Sequence, residues 1–350
     1  MHFIHSDSKN HIGISIWLLI LSAMVFLIIV IGGLTRLTGS GLSMVDWNPI
    51  MGTIPPLSYL AWVDAFDNYK ATPEFKIVNR LMSLDEFKYI FWWEWFHRFF
   101  ARLIGIVFIL PFLYFWIKNK ISKKLFLTLT IVFIFGLFQA LVGWWMVKSG
   151  LIDNPYVSAY RLTFHLSNAL IIFCILFWTT LTSFFEKKTS KEVNTTTNNF
   201  FHMGLFFLFI TIISGGFMAG THSGQSFNTF PLMNGEFIPE GYYFKEYGWV
   251  NSFENTVAIN FNHRWLASFT FLLICSFHLY LLISKKYKGD NFSLILVIIT
   301  ISLQFFLGIL TLINNVPILF ASLHQTNSVL LLASMLFAYH RHKYKKRYNV

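Results

Sequence analysis

Four histidines stand where an ionisable side chain is costly. His97, His165, His263 and His324 each lie within a long apolar run, and an imidazole in such a place is a functional candidate by default. Two neutral imidazoles on facing helices can hold a haem iron from both sides. His97 with His165, and His263 with His324, would hold two haems. One histidine at a membrane interface is satisfied by hydrogen bonds alone, but four at matching places make a pattern. Zinc competes poorly, because neither pair is joined by cysteines or paired carboxylates. Cys174 and Cys275 sit inside apolar segments and form neither a CxxC nor a Cys/His zinc spacing. Glu94 lies three residues before His97, on the same helix face. A carboxylate there can move protons or stabilise a developing positive charge, unless it stands in water within the aromatic belt of Trp92, Trp93 and Trp95. Arg36, Arg98, Arg161 and Arg264 can fork onto haem propionates or meet lipid headgroups. Arg98 and Arg264 adjoin histidines and rank first.

The elements that must position these groups are helices in a bilayer. Of 350 residues, 12% are charged and 55% hydrophobic, where soluble proteins carry about 25% charge. Mean hydropathy is +0.56. Such a chain cannot cover a soluble globule. The net charge of +11 does not point to nucleic acid, because the basic residues form short runs between apolar stretches. Apolar runs of about 20 residues suit a bilayer. Eight occur, roughly at 14–33, 95–117, 123–143, 160–184, 200–220, 260–284, 291–313 and 317–340. The first reads as a span and not a cleavable signal, since it is long and Gly32-Gly33-Leu34-Thr35-Arg36 is a poor cleavage site. Lysine and arginine concentrate at the N-terminus, 118–124, 185–199, 285–290 and the tail, which places those segments and both termini on the cytoplasmic side. Loops 34–94 and 221–259 are then outside. The mixed charges of 34–94 predict short amphipathic helices capping the first histidine pair. The expected fold is an all-α integral membrane protein.

The two halves match in order. Gly32-Gly33 corresponds to Gly215-Gly216 and Thr38-Gly39-Ser40-Gly41 to Thr221-His222-Ser223-Gly224, both at an offset of 183. Asn48-Pro49-Ile50-Met51 resembles Phe230-Pro231-Leu232-Met233. His97-Arg98 matches His263-Arg264, Gln139 matches Gln304, and His165 matches His324. Four spans per half make the repeat parallel, not inverted. The expectation is two pseudo-symmetric four-helix bundles: residues 1–184 with the long outer loop, a polar linker at 185–199, and residues 200–350. The four histidines would lie near the outer ends of the even-numbered spans, about 5–10 Å deep at 1.5 Å per residue. Gln139 and Gln304 either bond between helices or line the haem pockets. His2, His5, His11, His202, His278, His340 and His342 fall on the inner side and read as structural, while His222 stays unassigned. The repeat breaks at Glu94, whose counterpart is Asn260. The first half therefore reads as catalytic and the second as structural or electron-carrying.

Glu94-Trp95-Phe96-His97-Arg98, the run from Gly32 to Ser43, and Trp47-Asn48-Pro49 resemble the haem A synthase family. The likeness covers about residues 14–340. The chain lacks an outer-loop cysteine pair and is similar to the cysteine-free subgroup of alphaproteobacteria and mitochondria. The resemblance implies that the C8 methyl of haem O is hydroxylated twice, and that the resulting diol loses water to the formyl group of haem A. His97 and His165 would flank haem O, with Glu94 beside it. His263 and His324 would ligate a permanent haem b. The reaction needs an oxidant and an electron donor such as a ferredoxin. Haem O synthase (protohaem farnesyltransferase) would be a partner, cytochrome oxidase assembly the destination, and the bacterial inner membrane the location rather than the mitochondrial one. A homo-oligomer stays open. The competing function is a dihaem b-type electron-transfer protein that modifies no haem. It would stack its haems across the bilayer, whereas all four histidines here are expected at one depth. A repeat-built transporter would want broken helices and mid-membrane charge. A non-catalytic scaffold would not need Glu94.

Overall fold

A computed structural model of the chain describes residues 8–46, 51–152, 154–185, 195–284, 287 and 290–344. Trp47-Asn48-Pro49, most of the polar linker, His2, His5 and the basic residues Lys285, Lys286, Lys288, Lys345, Lys346 and Arg347 lie outside the described residues. In chain order the helices are α1 (Ser8–Leu37), α2 (Tyr59–Lys70), α3 (Pro73–Ile77), α4 (Leu84–Ile117), α5 (Lys123–Ser149), α6 (Ala159–Phe184), α7 (Thr195–Gly220), α8 (Asn251–Glu254), α9 (Thr256–Ser284), α10 (Asn291–Ile313) and α11 (Ile318–Lys343). Eight of them, all but α2, α3 and α8, are long and apolar enough to cross a membrane. They coincide with the eight apolar runs. Large side chains such as Leu110, Leu272 and Ile283 are exposed on these helices, as suits a protein whose solvent is hydrocarbon.

One boundary differs from expectation. The second long helix begins at Leu84, eleven residues before the apolar run at 95. Ser83 and Glu86 form a capping box there: the Ser83 hydroxyl accepts from the Glu86 amide, and the Glu86 carboxylate accepts from the Ser83 amide at 2.7 Å. The cap satisfies orphan amides of the first turn, and acidic residues suit the positive end of the helix dipole. Hydropathy cannot see this polar start. The extra turns are covered by loop 38–83, which does contain the expected short helices. From α2, Phe66 and Tyr69 stack on Phe87, with ring centroids 5.0 and 5.2 Å apart. Trp62 meets Phe91 edge-on at 5.0 Å, and Met44 and Val45 close the cluster.

The chain divides into two compact units, Ala23–Ile172 and Met1–Ser22 with Phe173–Val350, so that α1 and α6 contribute to both. In the second unit α7 packs on α9, α9 on α10, α10 on α11 and α11 on α7, a closed ring of four neighbours. In the first unit α1 meets α4 where the His97 ring lies against Gly32. There α4 meets α5 through Phe108–Phe133 and Phe112–Phe126 stacks, and α5 meets α6 through the polar contacts described below. The turns after α1 and α7 share one backbone form. Gly39 has φ of 64° and His222 has φ of 56°, both in the left-handed region that favours glycine. The repeat thus keeps the turn while changing the residue, which gives His222 a conformational place.

Candidate functional site

The four histidines occur as two pairs built the same way. His97 and His165 are close enough that a charge on one is felt at the other, and so are His263 and His324. Each ring lies against a glycine of a neighbouring helix: His97 on Gly32, His165 on Gly143, His263 on Gly215 and His324 on Gly308. At Gly308 an added methyl would stand 2.9 Å from the imidazole Cε1, so the ring would have to shift, and at Gly143 it would stand 3.0 Å away, so the ring would have to give by a few tenths of an ångström. All four rings are half-buried although they sit on membrane helices.

A second layer orients one histidine of each pair; the sequence reading named its glutamines, Gln139 and Gln304, as bonding between helices or lining the pockets, and missed its asparagines, Asn168 and Asn327. Asn168 donates to the Phe135 carbonyl at 3.2 Å, which fixes its NH₂ group. The same group donates to Gln139 Oε1 at 2.7 Å. The Gln139 NH₂ must then face His165, and it donates to the His165 carbonyl at 3.1 Å and lies 3.3 Å from His165 Nε2. In the other half Asn327 donates to Thr300 O and to Gln304 Oε1, both at 2.9 Å, and the Gln304 NH₂ faces the His324 ring at 3.2 Å. A readable signal existed. Gln139-x-x-x-Gly143 recurs as Gln304-x-x-x-Gly308, and His165-x-x-Asn168 as His324-x-x-Asn327.

The arginines beside the first histidines are clamps. Arg98 Nε donates to Glu94 Oε1 at 2.6 Å, Nη2 to Met44 O at 3.0 Å and Nη1 to Asp46 O at 3.2 Å. Arg264 Nε donates to Asn260 Oδ1 at 2.6 Å, and its other nitrogens to Phe227 O and Thr229 O. The carbonyls of both halves are again 183 positions apart. Glu94 is buried, and its second oxygen lies 4.0 Å from His97 Nδ1. Arg36 carries a buried Nη2 with no hydrogen-bond partner among the described residues, and Ala219 holds the corresponding place. Arg161 donates to Trp145 O at 2.7 Å and lies over the Trp145 ring. His202 bonds to Tyr339 Oη at 2.8 Å and His278 to Ile274 O at 2.7 Å. Among the described residues no cluster of three or more His, Cys, Asp or Glu could hold a bare metal ion.

These donor sets suit a haem in each half. Paired imidazoles could ligate a haem iron, and the orphan guanidinium nitrogen of Arg36 is what a propionate would satisfy. Comparison with known proteins points the same way. The profile of the COX15-CtaA family, cytochrome oxidase assembly protein, matches residues 15–336. The chain is 44% identical to heme A synthase of Nitrosomonas eutropha over 337 residues, covering 94% of each protein. It is 42% identical to heme A synthase of Nitrosospira multiformis, over 93% of this chain and 92% of that one. With heme A synthase of Wolbachia pipientis wMel it shares 41% identity, over 93% and 91%.

Proposed function

Because this chain belongs to the COX15-CtaA family of cytochrome oxidase assembly proteins, we propose that it is a multi-pass membrane enzyme converting haem O to haem A. The observation that carries the reading is the duplicated histidine pair with a carboxylate beside only one copy. Haem O is the substrate of the first half, held between His97 and His165, with Arg36 as the ligand of a propionate. His263 and His324 hold a haem b in the second half. Bound there, haem b supplies one-electron redox chemistry. Arg98 and Arg264 hold the outer loops over the two sites, so their carbonyl contacts rank above propionate binding among their tasks. The fold reading that goes with this is two pseudo-symmetric four-helix bundles in a parallel repeat.

The protein's own contribution is to position, exclude water and place charge. Glycines let the imidazole rings approach the helices closely. The Gln–Asn pairs hold His165 and His324 in one orientation. Glu94, buried and paired with Arg98, sets a negative charge beside the reacting haem. There it stabilises the positive charge that develops as the methyl group is oxidised, or accepts the proton released. Each hydroxylation needs dioxygen as an outside oxidant, one oxygen atom going to the methyl carbon and the other to water. The two electrons this consumes come from an outside donor, a ferredoxin being one class that fits. Haem O synthase is the natural supplier of substrate. We place the protein in the bacterial inner membrane with both termini in the cytoplasm, on the lysine and arginine bias.

The test is expression in a bacterial host that makes haem O and no haem A, followed by extraction and mass identification of the haems. Haem A is expected with the wild-type chain and is lost with His97→Ala. Recovery of haem B alone, with oxygen and reductant supplied, would favour a dihaem electron carrier.

A further inference from the structure

The two pairs differ at Nδ1 of the histidine that precedes the arginine. In the second half, Ser214 Oγ lies 2.7 Å from His263 Nδ1. The single Ser214 hydroxyl proton is already committed, since Oγ donates to Thr211 O at 2.8 Å. The contact with His263 therefore needs an N–H donor, and Nδ1 must carry it. This fixes the tautomer and the ring angle, and leaves Nε2 with its lone pair. A hydrogen bond to the far nitrogen of a ligating imidazole orients the ring and strengthens its hold on a metal. In the first half the corresponding residue is Ile31, which has no hydroxyl. Glu94 Oε2 lies 4.0 Å from His97 Nδ1, beyond hydrogen-bond distance. His165 and His324, the other member of each pair, both face a glutamine NH₂. The glutamine lies 3.3 Å from Nε2 of His165 and 3.2 Å from Nδ1 of His324, so each of these rings has an amide beside it, whereas of His97 and His263 only His263 has a hydroxyl within bonding distance.

We infer that Ser214 locks His263 as a permanent axial ligand, whereas His97, lacking that lock, is the displaceable ligand of the first half. The inference rests on the haem-binding reading above and deepens it, naming the side from which a diatomic ligand reaches the substrate iron. The fixed ligand in the first half is then His165, held through Gln139 and Asn168. Ser214 acts here as a positioning residue.

The experiment uses purified, haem-loaded protein, reduced and exposed to carbon monoxide, with optical spectra assigned through His165→Ala and His324→Ala variants that each remove one pair. Carbon monoxide is expected to bind the first-half haem and to leave the second six-coordinate. Ser214→Ala should let it bind the second half, and Ser214→Thr, which keeps the hydroxyl, should restore the block. Ile31→Ser should slow binding in the first half by about tenfold, the worth of one net hydrogen bond. Equal binding in both halves, or an unchanged second half in Ser214→Ala, would overturn the inference while leaving two haems in place. Protein that carries no haem at all would overturn the haem reading, and the inference with it.

Discussion

Arg98 and Arg264 do one job with two different partners, and the difference isolates what Glu94 is for. Each guanidinium bonds the residue four positions earlier at 2.6 Å and holds two loop carbonyls. In the second half a neutral amide suffices: Asn260 is fully buried, accepts from Arg264, and donates to Ser223 O at 2.6 Å. A carboxylate is therefore not needed to close the loop. Burying a charge is expensive even when it is paired, so the first half bears a cost that the second shows to be avoidable. The charge of Glu94 is there for something besides the clamp. Replacing it with the residue its twin uses separates the two roles. Glu94→Asn should keep the loop closed and both haems bound, and lower haem A formation by roughly 10²–10⁴-fold, the usual contribution of a positioned acid–base group. Haem A yield per bound haem measures this. Undiminished formation would reduce Glu94 to a clamp residue.

Removing the arginine instead tests the clamp. Arg98→Ala leaves a buried carboxylate without its partner and should cost about 3 kcal/mol. Arg264→Ala leaves a neutral amide short of one bond and should cost nearer 1–2 kcal/mol. Thermal unfolding in detergent, followed separately by protease cleavage in 38–83 and 221–255, reads both. Equal losses would mean that Glu94 keeps its proton in the folded protein and that the two clamps are electrically alike.

How far the sequence carried this reading depends on dimension. The eight spans, their order and the four histidines are one-dimensional features, visible as apolar length and fixed offsets. Glu94 against Asn260 was visible for the same reason. The start of α4 was not, because a capping box and a covering aromatic cluster outweigh polarity there, and hydropathy weighs only transfer to hydrocarbon. The Gln139–Asn168–His165 relay joins two helices face to face, and no single-helix pattern says which polar residues will meet. Ser214 escaped because its mate is Ile31, so a search for matching residues passes over it. Its meaning appears only with the distances to His263 and to the Thr211 carbonyl.

The outer loops give the mildest contrast. The second half keeps Glu236, Glu240, Glu246 and Glu254 exposed, whereas in the first half α3 buries Glu74 under α2. Tyr69 Oη donates to Glu74 Oε2 at 2.9 Å, and Asn79 Nδ2 donates to Tyr69 Oη at 2.7 Å. Burial pushes the Glu74 carboxyl up from 4.5 to about 7, with the Tyr69 hydrogen bond holding it back. The folded cap therefore binds a proton that the unfolded cap releases between those values. Linkage then makes the cap firmest below about pH 4.5, weaker as pH rises toward 7, and level above it. Hydrogen exchange of the 59–83 amides, corrected for its intrinsic pH dependence, should show opening about 70-fold more frequent at pH 8 than at pH 5, the effect of nearly two pKa units of linkage over that window. The amides of 236–254 should show no such change. Glu74→Gln keeps an acceptor for Tyr69 and cannot ionise, so it should flatten the first profile onto the second. A slope that survives that substitution would assign the pH response to another group in the cap.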